Sequence, residues 1–264
     1  MCSHDPRFDL PLDLARALPP PDRLALFLDV DGTLIGSTHC DRVAGIPAPR
    51  LALLERIGEL TSDAVAILTG RTVEMVDEMF TPLILSVAGL QGADRRFADG
   101  RRAAPVLSER ERSMLDPLEE EISASFPGLT VERKPAGLSV VYDEDAGTAE
   151  RIEAIAVRHV GTTFAVIPGR IAVDIVPPGI DKGHALAVFA AEAPFAGRIP
   201  VHIGDDLPDR PAFTAAHRLG GSASPCTAPP RRLIMRFPAM LTSGRCWTHT
   251  LAFTSGETHE MRLS

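Results

Sequence analysis

Short apolar runs alternate with helical patterns along the first third of the chain. The apolar runs lie at residues 24–29, 64–68 and 84–88, and each ends at acidic, polar or glycine residues. Continuous apolar runs of this length are typical of strands buried on both faces of a parallel sheet. Residues 49–60 and 72–80 between them have helical periodicity. Strands and helices that alternate at this spacing predict a parallel α/β sheet.

The central part of the chain has a different pattern, in which a helix is followed by two strands, twice. The predicted elements are a helix at 108–125, strands at 129–134 and 138–143, a helix at 147–159, and strands at 163–167 and 170–176. Short turns that contain proline and glycine join the strands of each pair. This arrangement favours a small α+β module with an antiparallel sheet.

The α/β pattern resumes after Pro177-Pro178-Gly179, with a helix predicted at 181–191 and a strand at 199–203. From residue 222 onward, proline, arginine, threonine and serine are frequent, and the pattern assigns no element. The predicted organisation is a lead-in (1–20), a first part of the core (21–102), an inserted cap domain (103–176) and a second part of the core (177–264).

The composition is that of a globular, acidic protein. The 264 residues are 45% hydrophobic and 23% charged, which suits an α/β core with a smaller inserted domain. The net charge of -8 repels a phosphate backbone, so we expect no nucleic-acid partner. A small anionic substrate is still allowed, because a site inside an acidic protein can be locally positive.

The cysteines and the first residues predict a cytoplasmic protein. Cys2, Cys40, Cys226 and Cys246 form neither a C-x-x-C pair nor a zinc spacing, and free thiols are typical of a reducing compartment. The N-terminal residues lack the basic start and apolar run of a signal peptide. No apolar stretch is long enough to span a bilayer, so we expect no membrane partner.

Two carboxylates follow the first predicted strand, in Asp29-Val30-Asp31-Gly32-Thr33. Open α/β sheets place ligands at the carboxyl ends of their strands, so both side chains can face one crevice. One carboxylate can attack phosphorus while the other transfers a proton to the leaving oxygen. A solvated acidic turn is the alternative for two such residues alone, but their position directly after an apolar run favours a catalytic pair.

Three further polar segments lie near strand ends or helix starts. Thr69-Gly70-Arg71 offers a hydroxyl and backbone amides to a substrate phosphate, although Thr69 can equally cap a helix. Lys182 can neutralise a transferring phosphoryl group, or be an ordinary surface lysine. Gly204-Asp205-Asp206-Leu207-Pro208-Asp209 suits a hard cation such as Mg²⁺, which the carboxylates after the first strand could share. The coincidence of four such segments favours an enzyme.

The order D-x-D-G-T, T-G-R, K-G and G-D-D-x-x-D resembles the haloacid dehalogenase superfamily of phosphotransferases, over roughly residues 24–221. Three segments are similar to its trehalose-6-phosphate phosphatases: 88–94, 131–139 and 169–183. The resemblance implies an α/β fold with a Rossmann-like parallel-sheet core and an inserted α+β cap domain. It also implies hydrolysis of trehalose 6-phosphate to trehalose and phosphate, in trehalose biosynthesis, with Mg²⁺ as the cofactor.

The resemblance implies a role for each matching core residue. Asp29 would form an aspartyl-phosphate, and Asp31 would protonate the leaving sugar oxygen and then activate water. Thr69 and Lys182 would hold the phosphoryl oxygens. Mg²⁺ would be bound by Asp29, by the backbone carbonyl of Asp31 and by Asp205.

Four cap residues would contact the sugar hydroxyls through charged hydrogen bonds: Glu132, Lys134, Arg170 and Asp174. Alternation on a solvated sheet face would also explain these charges, because residues at i and i+2 of a strand share a face. The chain departs from the family at Gln91 (usually His), at Asp94 and Asp174 (usually Glu), at Arg170 (usually Lys), and at Pro208 and Arg210 within a segment usually written T-D-E. These departures concern the sugar specificity.

Two alternatives to trehalose-6-phosphate hydrolysis stay open. The chain could be a capped phosphatase of another sugar phosphate, such as those of sucrose or mannosylglycerate. It could also be a weakly active sugar-phosphate sensor or a partner of a trehalose-phosphate synthase, although the presence of both Asp29 and Asp31 argues against this.

Overall fold

The computed structural model describes residues 12–13, 18–36, 45–142, 145–225, 233–238 and 248–252. The strands are β1 (Leu12–Asp13), β2 (Leu24–Leu28), β3 (Val65–Leu68), β4 (Ser86–Gly89), β5 (Asp94–Arg96), β6 (Arg102–Ala103), β7 (Thr130–Lys134), β8 (Gly137–Val141), β9 (Ala165–Pro168), β10 (Ala172–Val176), β11 (Ile199–Gly204), β12 (Ser222–Pro225), β13 (Leu233–Pro238) and β14 (Thr248–Ala252). The α-helices are α1 (Ala48–Thr61), α2 (Val73–Phe80), α3 (Glu109–Ser125), α4 (Ala146–Val160), α5 (Lys182–Ala190) and α6 (Arg210–Arg218).

The core is a seven-stranded sheet in the order β12-β11-β2-β3-β4-β5-β6. Its first five strands are parallel, whereas β5 and β6 are antiparallel additions at the edge. All five residues of β2 are buried, because helices cover both faces of the sheet. Leu26 shares one apolar cluster with Leu54 of α1 on one face. On the other face, Phe27 stacks on Phe195, which packs against Phe189 of α5. The predicted α/β fold class is confirmed.

The inserted module is a four-stranded antiparallel sheet in the order β7-β8-β10-β9, on which α3 and α4 pack. The predicted repetition of one helix and two strands is confirmed, since α3 precedes β7 and β8 while α4 precedes β9 and β10. A capping box between Ser108 and Glu111 begins α3. The domain boundaries given above stay a prediction.

The structure corrects three details of the predicted elements. Arg170 was placed on a strand at 170–176, but it lies in the tight turn before β10, where the amide of Gly169 donates to the carbonyl of Ala172 at 2.8 Å. The hairpin of β5 and β6 was not predicted. The helix α6 and the closing strand β12, which pairs with β11, were not predicted.

Beyond β12, strands β13 and β14 form a separate small sheet with β1. The predictions for the four cysteines, and for most of the lead-in, fall outside the described residues. Among the described helices, none has the length and apolar character needed to cross a bilayer.

Candidate active site

Parallel strand pairing brings the predicted segments to one edge of the sheet. β11, β2 and β3 are neighbours, so the residues that follow their carboxyl ends meet there. The resulting crevice is lined by Asp29 and Asp31 after β2, by Thr69-Gly70-Arg71 after β3, and by Lys182 at the start of α5. Asp181 begins α5 by accepting a hydrogen bond from the amide of His184 at 2.7 Å, which makes Lys182 the first helical residue.

Lys182 lies between two buried carboxylates. Its Nζ donates to Asp29 Oδ1 at 2.6 Å and to Asp209 Oδ1 at 2.8 Å, and only 4% of its side chain is exposed. Burial would lower the pKa of Lys182, but the charges of Asp209 and Asp29 more than offset this and raise it. Lys182 therefore stays charged and holds the Asp29 carboxylate in one orientation.

Asp209 holds both Lys182 and the loop after β11 in place. Besides Lys182, its Oδ1 is 3.0 Å from His202 Nε2, and its Oδ2 accepts from the amides of Asp205 and Asp206 at 3.1 Å each. Burial alone would raise the pKa of Asp209, but the charge of Lys182 and the His202 hydrogen bond hold it well below its usual range. The sequence motif contains Asp209, but its role was missed. Its spacing after Gly204-Asp205-Asp206 was the available signal.

The acidic residues suit a divalent cation. Asp29, Asp205 and Asp209 offer carboxylate oxygens within 4.8 Å of one another, and Asp205 Oδ1 is buried without a hydrogen-bond partner. Burial, followed by the nearby charges of Asp209 and Asp205, raises the pKa of Asp29 although Lys182 opposes the shift. Burial raises the pKa of Asp205 to about 6, against the effect of Arg170. Because four hydrogen bonds already occupy Asp209, a cation fits best between Asp29 and Asp205.

Gly32 allows the loop after β2 to approach the possible cation site closely. Its φ is +87°, and a Cβ atom there would lie 2.0 Å from Asp205 Oδ2. Only glycine combines this backbone conformation with this contact. The backbone of the D-x-D-G-T segment and the Asp205 carboxylate are thereby brought together.

Arg71 holds the second carboxylate of the D-x-D pair. Its Nε and Nη2 donate to the two oxygens of Asp31 at 2.8 and 2.7 Å, a bidentate geometry that fixes the plane of the carboxylate. Thr69 lies alongside, with its hydroxyl oxygen accepting from the amide of Arg71 at 3.2 Å. Arg71 lines the crevice as well, so its predicted contact with the substrate stays a prediction.

The cap covers the crevice with polar side chains. Lys134 Nζ donates to the carbonyl of Gly70 at 3.0 Å and lies 3.7 Å from Glu132 Oε2. Asp174 accepts from Ser139 Oγ at 2.6 Å. Together with Arg170, the four cap residues assigned from the sequence all line the same crevice as Asp29.

Gln91, one of the departures noted in the sequence, lies at the joint between core and cap. Its Nε2 donates to Asp174 Oδ2 at 2.7 Å, which leaves its buried Oε1 without a partner. A Cβ atom on Gly70 would lie 2.8 Å from Gln91 Nε2, so a larger residue there would push this side chain aside. Asp94, another departure, does not line the crevice. It pairs with Arg102 at the sheet edge instead.

The two lysines of the chain are Lys134 and Lys182, and both lie at this crevice. The other 25 of the 27 basic residues are arginines. A lysine is a compact point charge, whereas arginine is suited to planar, bidentate partners. This unequal use of the two residue types was a signal for both positions that the sequence interpretation did not use.

The sequence profile of the trehalose-phosphatase family matches residues 27–227. The chain belongs to this family. The probable trehalose-phosphate phosphatase of Sinorhizobium fredii is 34% identical over 206 residues, which are 76% of each chain. The trehalose-6-phosphate phosphatase of Escherichia coli is 32% identical over 202 residues, or 75% of this chain and 76% of the relative.

The fold of the trehalose-phosphatase family is also found in solved structures. The C-terminal domain of the C. albicans trehalose-6-phosphate phosphatase superposes with a TM-score of 0.64 at 16% identity, covering 75% of each chain. This likeness concerns the fold alone. The family assigned from the sequence motifs, and the class of enzyme, a phosphatase, are both confirmed.

We expect Asp209→Asn to destabilise this trehalose-phosphatase family member by about 1–3 kcal/mol, because an amide nitrogen would face donors inside a buried network. Chemical denaturation measures the free energy of unfolding. Asp181→Asn is the matched control: asparagine caps helices as well as aspartate does, so its effect should stay within about 0.5 kcal/mol. Equal stability of the Asp209→Asn variant and the wild type would contradict the anchoring role.

Proposed function

We propose that the protein hydrolyses trehalose 6-phosphate to trehalose and phosphate, through an aspartyl-phosphate on Asp29 and with Mg²⁺ as the cofactor. The buried Asp29 carboxylate, held by Lys182 at 2.6 Å and facing a crevice capped by polar side chains, is the observation that carries the proposal. Membership of the trehalose-phosphatase family supports the substrate. The proposed Mg²⁺ ligands are Asp29, the backbone carbonyl of Asp31 and Asp205.

The first step forms a bond between an Asp29 oxygen and phosphorus and breaks the bond from phosphorus to the sugar oxygen. Asp31, in its protonated form and released from the Arg71 guanidinium that pairs with its carboxylate, donates its proton to that leaving oxygen, and trehalose departs. Lys182 and Thr69 hold the phosphoryl oxygens during transfer. Bound Mg²⁺ offsets the repulsion between the attacking carboxylate and the dianionic phosphate.

The second step restores the enzyme. The Asp31 carboxylate takes a proton from water as the water oxygen attacks the phosphorus of the aspartyl-phosphate. The bond from phosphorus to the Asp29 oxygen then breaks, and phosphate leaves. Asp31 is again protonated and Asp29 again a carboxylate, so the cycle balances.

The cap supplies the proposed sugar contacts. Glu132, Lys134, Arg170 and Asp174 line the same crevice as Asp29, and Gln91 adds an unpaired carbonyl oxygen. Charged donors and acceptors of this kind bind neutral hydroxyls strongly. Association with a trehalose-phosphate synthase and a cytoplasmic location stay predictions.

Phosphate release from trehalose 6-phosphate should require Mg²⁺ and fall to background in excess chelator, because the carboxylates of Asp29 and Asp205 need a cation between them. Adding Mg²⁺ beyond the chelator should restore activity, and chelator already saturated with Mg²⁺ should have no effect. Full turnover in excess chelator would contradict the metal site. Faster turnover of sucrose or mannosylglycerate phosphates in the same assay would reassign the substrate.

Asp29→Asn should lower kcat for trehalose 6-phosphate at least about 10⁴-fold, because an amide is a far poorer nucleophile than a carboxylate. The circular dichroism spectrum should stay that of the wild type. Asp22→Asn, the same change at an exposed residue before β2, is the control and should keep full activity. An active Asp29→Asn enzyme would rule out Asp29 as the nucleophile.

Glu132→Ala and Lys134→Ala should each lower kcat/KM for trehalose 6-phosphate about 10- to 100-fold, the value of a charged hydrogen bond. Hydrolysis of p-nitrophenyl phosphate, which has no sugar hydroxyls, should change less than about twofold. Glu120→Ala, on the exposed side of α3, is the control in the same domain. Equal losses on both substrates would show that Glu132 and Lys134 support the structure rather than recognise sugar.

A further inference from the structure

The cap is tied to the core by a small set of polar links in the described part of the chain. Lys134 donates to the carbonyl of Gly70, and Gln91 donates to Asp174. Arg170 makes a different kind of link, because it reaches the loop that carries Asp205, one of the proposed cation ligands. Its backbone amide donates to Asp206 Oδ2 at 2.6 Å, and its guanidinium pairs with Asp205 Oδ2.

The crevice beneath these links is too small for a disaccharide. Its volume is about 70 Å³. Pockets that hold drug-sized ligands have volumes of roughly 300–1,000 Å³. A sugar phosphate of two rings does not fit inside this crevice as it stands, so displacement of the cap from the core favours its entry.

Asp205 connects the cap position to the cation site. Its side chain is fully buried, with Oδ2 paired to Arg170 and Oδ1 unpaired. A divalent cation on this carboxylate would lie next to the guanidinium. Two positive groups at one buried carboxylate repel each other, so each weakens the binding of the other.

We propose that Arg170 is a latch between the cap and the Asp205 loop, and that the divalent cation releases it. Cation binding displaces the guanidinium from Asp205, the cap loosens, and the crevice opens to the sugar phosphate. Linkage makes the effect reciprocal: the closed cap lowers cation affinity as much as the cation favours opening. The inference rests on the proposed Mg²⁺ site and deepens it.

Titration calorimetry with Mg²⁺ tests the competition. Arg170→Gln and Arg170→Met should each bind Mg²⁺ at least about fivefold more tightly than the wild type, the lower end of typical coupling between sites. Arg133→Gln is the matched control: it removes the same charge from the same cap, at a residue that pairs with Asp116 and Glu119 instead. Its affinity should stay within about twofold of the wild type. Unchanged or weaker binding in both Arg170 variants overturns the proposal.

The presence of only two lysines provides a direct measure of opening. Lys134 is on the cap, its side chain is 11% exposed, and its rate of modification by an amine-reactive ester can be followed by mass spectrometry. Mg²⁺ should raise that rate at least about threefold in the wild type and in Arg133→Gln. Arg170→Gln should react fast without Mg²⁺ and gain little from it.

A Lys134 rate that Mg²⁺ does not change in the wild type, or that it raises equally in Arg170→Gln, overturns the latch. Failure of the latch can be told apart from failure of the proposed function. Wild type that binds Mg²⁺ and hydrolyses trehalose 6-phosphate, with Arg170 variants of unchanged affinity, refutes the latch alone. Wild type that neither binds Mg²⁺ nor releases phosphate refutes both.

Discussion

The buried carboxylates at the ends of β2 and β11 impose a charge balance on the whole site. Asp29, Asp205 and Asp209 lie close enough to share one cation, where lost hydration and mutual repulsion both oppose ionisation. Lys182 compensates two of these residues and Arg170 the third. Lys182 and Arg170 are thus placed by acidic side chains, and Arg170 brings a cap residue into the charge balance of the core.

Sheet geometry decides which charges can meet. Asp29 and Lys182 are 153 residues apart in sequence, yet their side chains form a hydrogen bond because β2 and β11 are adjacent parallel strands and α5 starts beside them. In the sequence, the cap lies between the segment that carries Asp29 and the segment that carries Lys182. In the structure, it covers the crevice that these two residues line. The proposed phosphate contacts consequently come from the core, and the proposed sugar contacts come from the cap.

Much of the fold could be predicted because its strongest signals are local. β2 and β3 are buried on both faces, so each appears as an uninterrupted apolar run. The cap helices are long and periodic, and their bounds differ from the predicted ones by one residue or less. The β5–β6 hairpin was missed because strands of three and two residues are too short to establish a period.

For the candidate site, the sequence predicted which residues belong to it but not which residues they contact. The sequence by itself determined which polar residues follow which strand ends, since a strand and the turn after it are contiguous, and it thereby determined the family. Only the tertiary structure decided the partners: Arg71 on Asp31, Arg170 on Asp205, and four hydrogen bonds on Asp209. Lys182, for example, lies within hydrogen-bonding distance of two carboxylates. The choice among them depends on distances across the sheet and between its two layers, which sequence spacing does not specify.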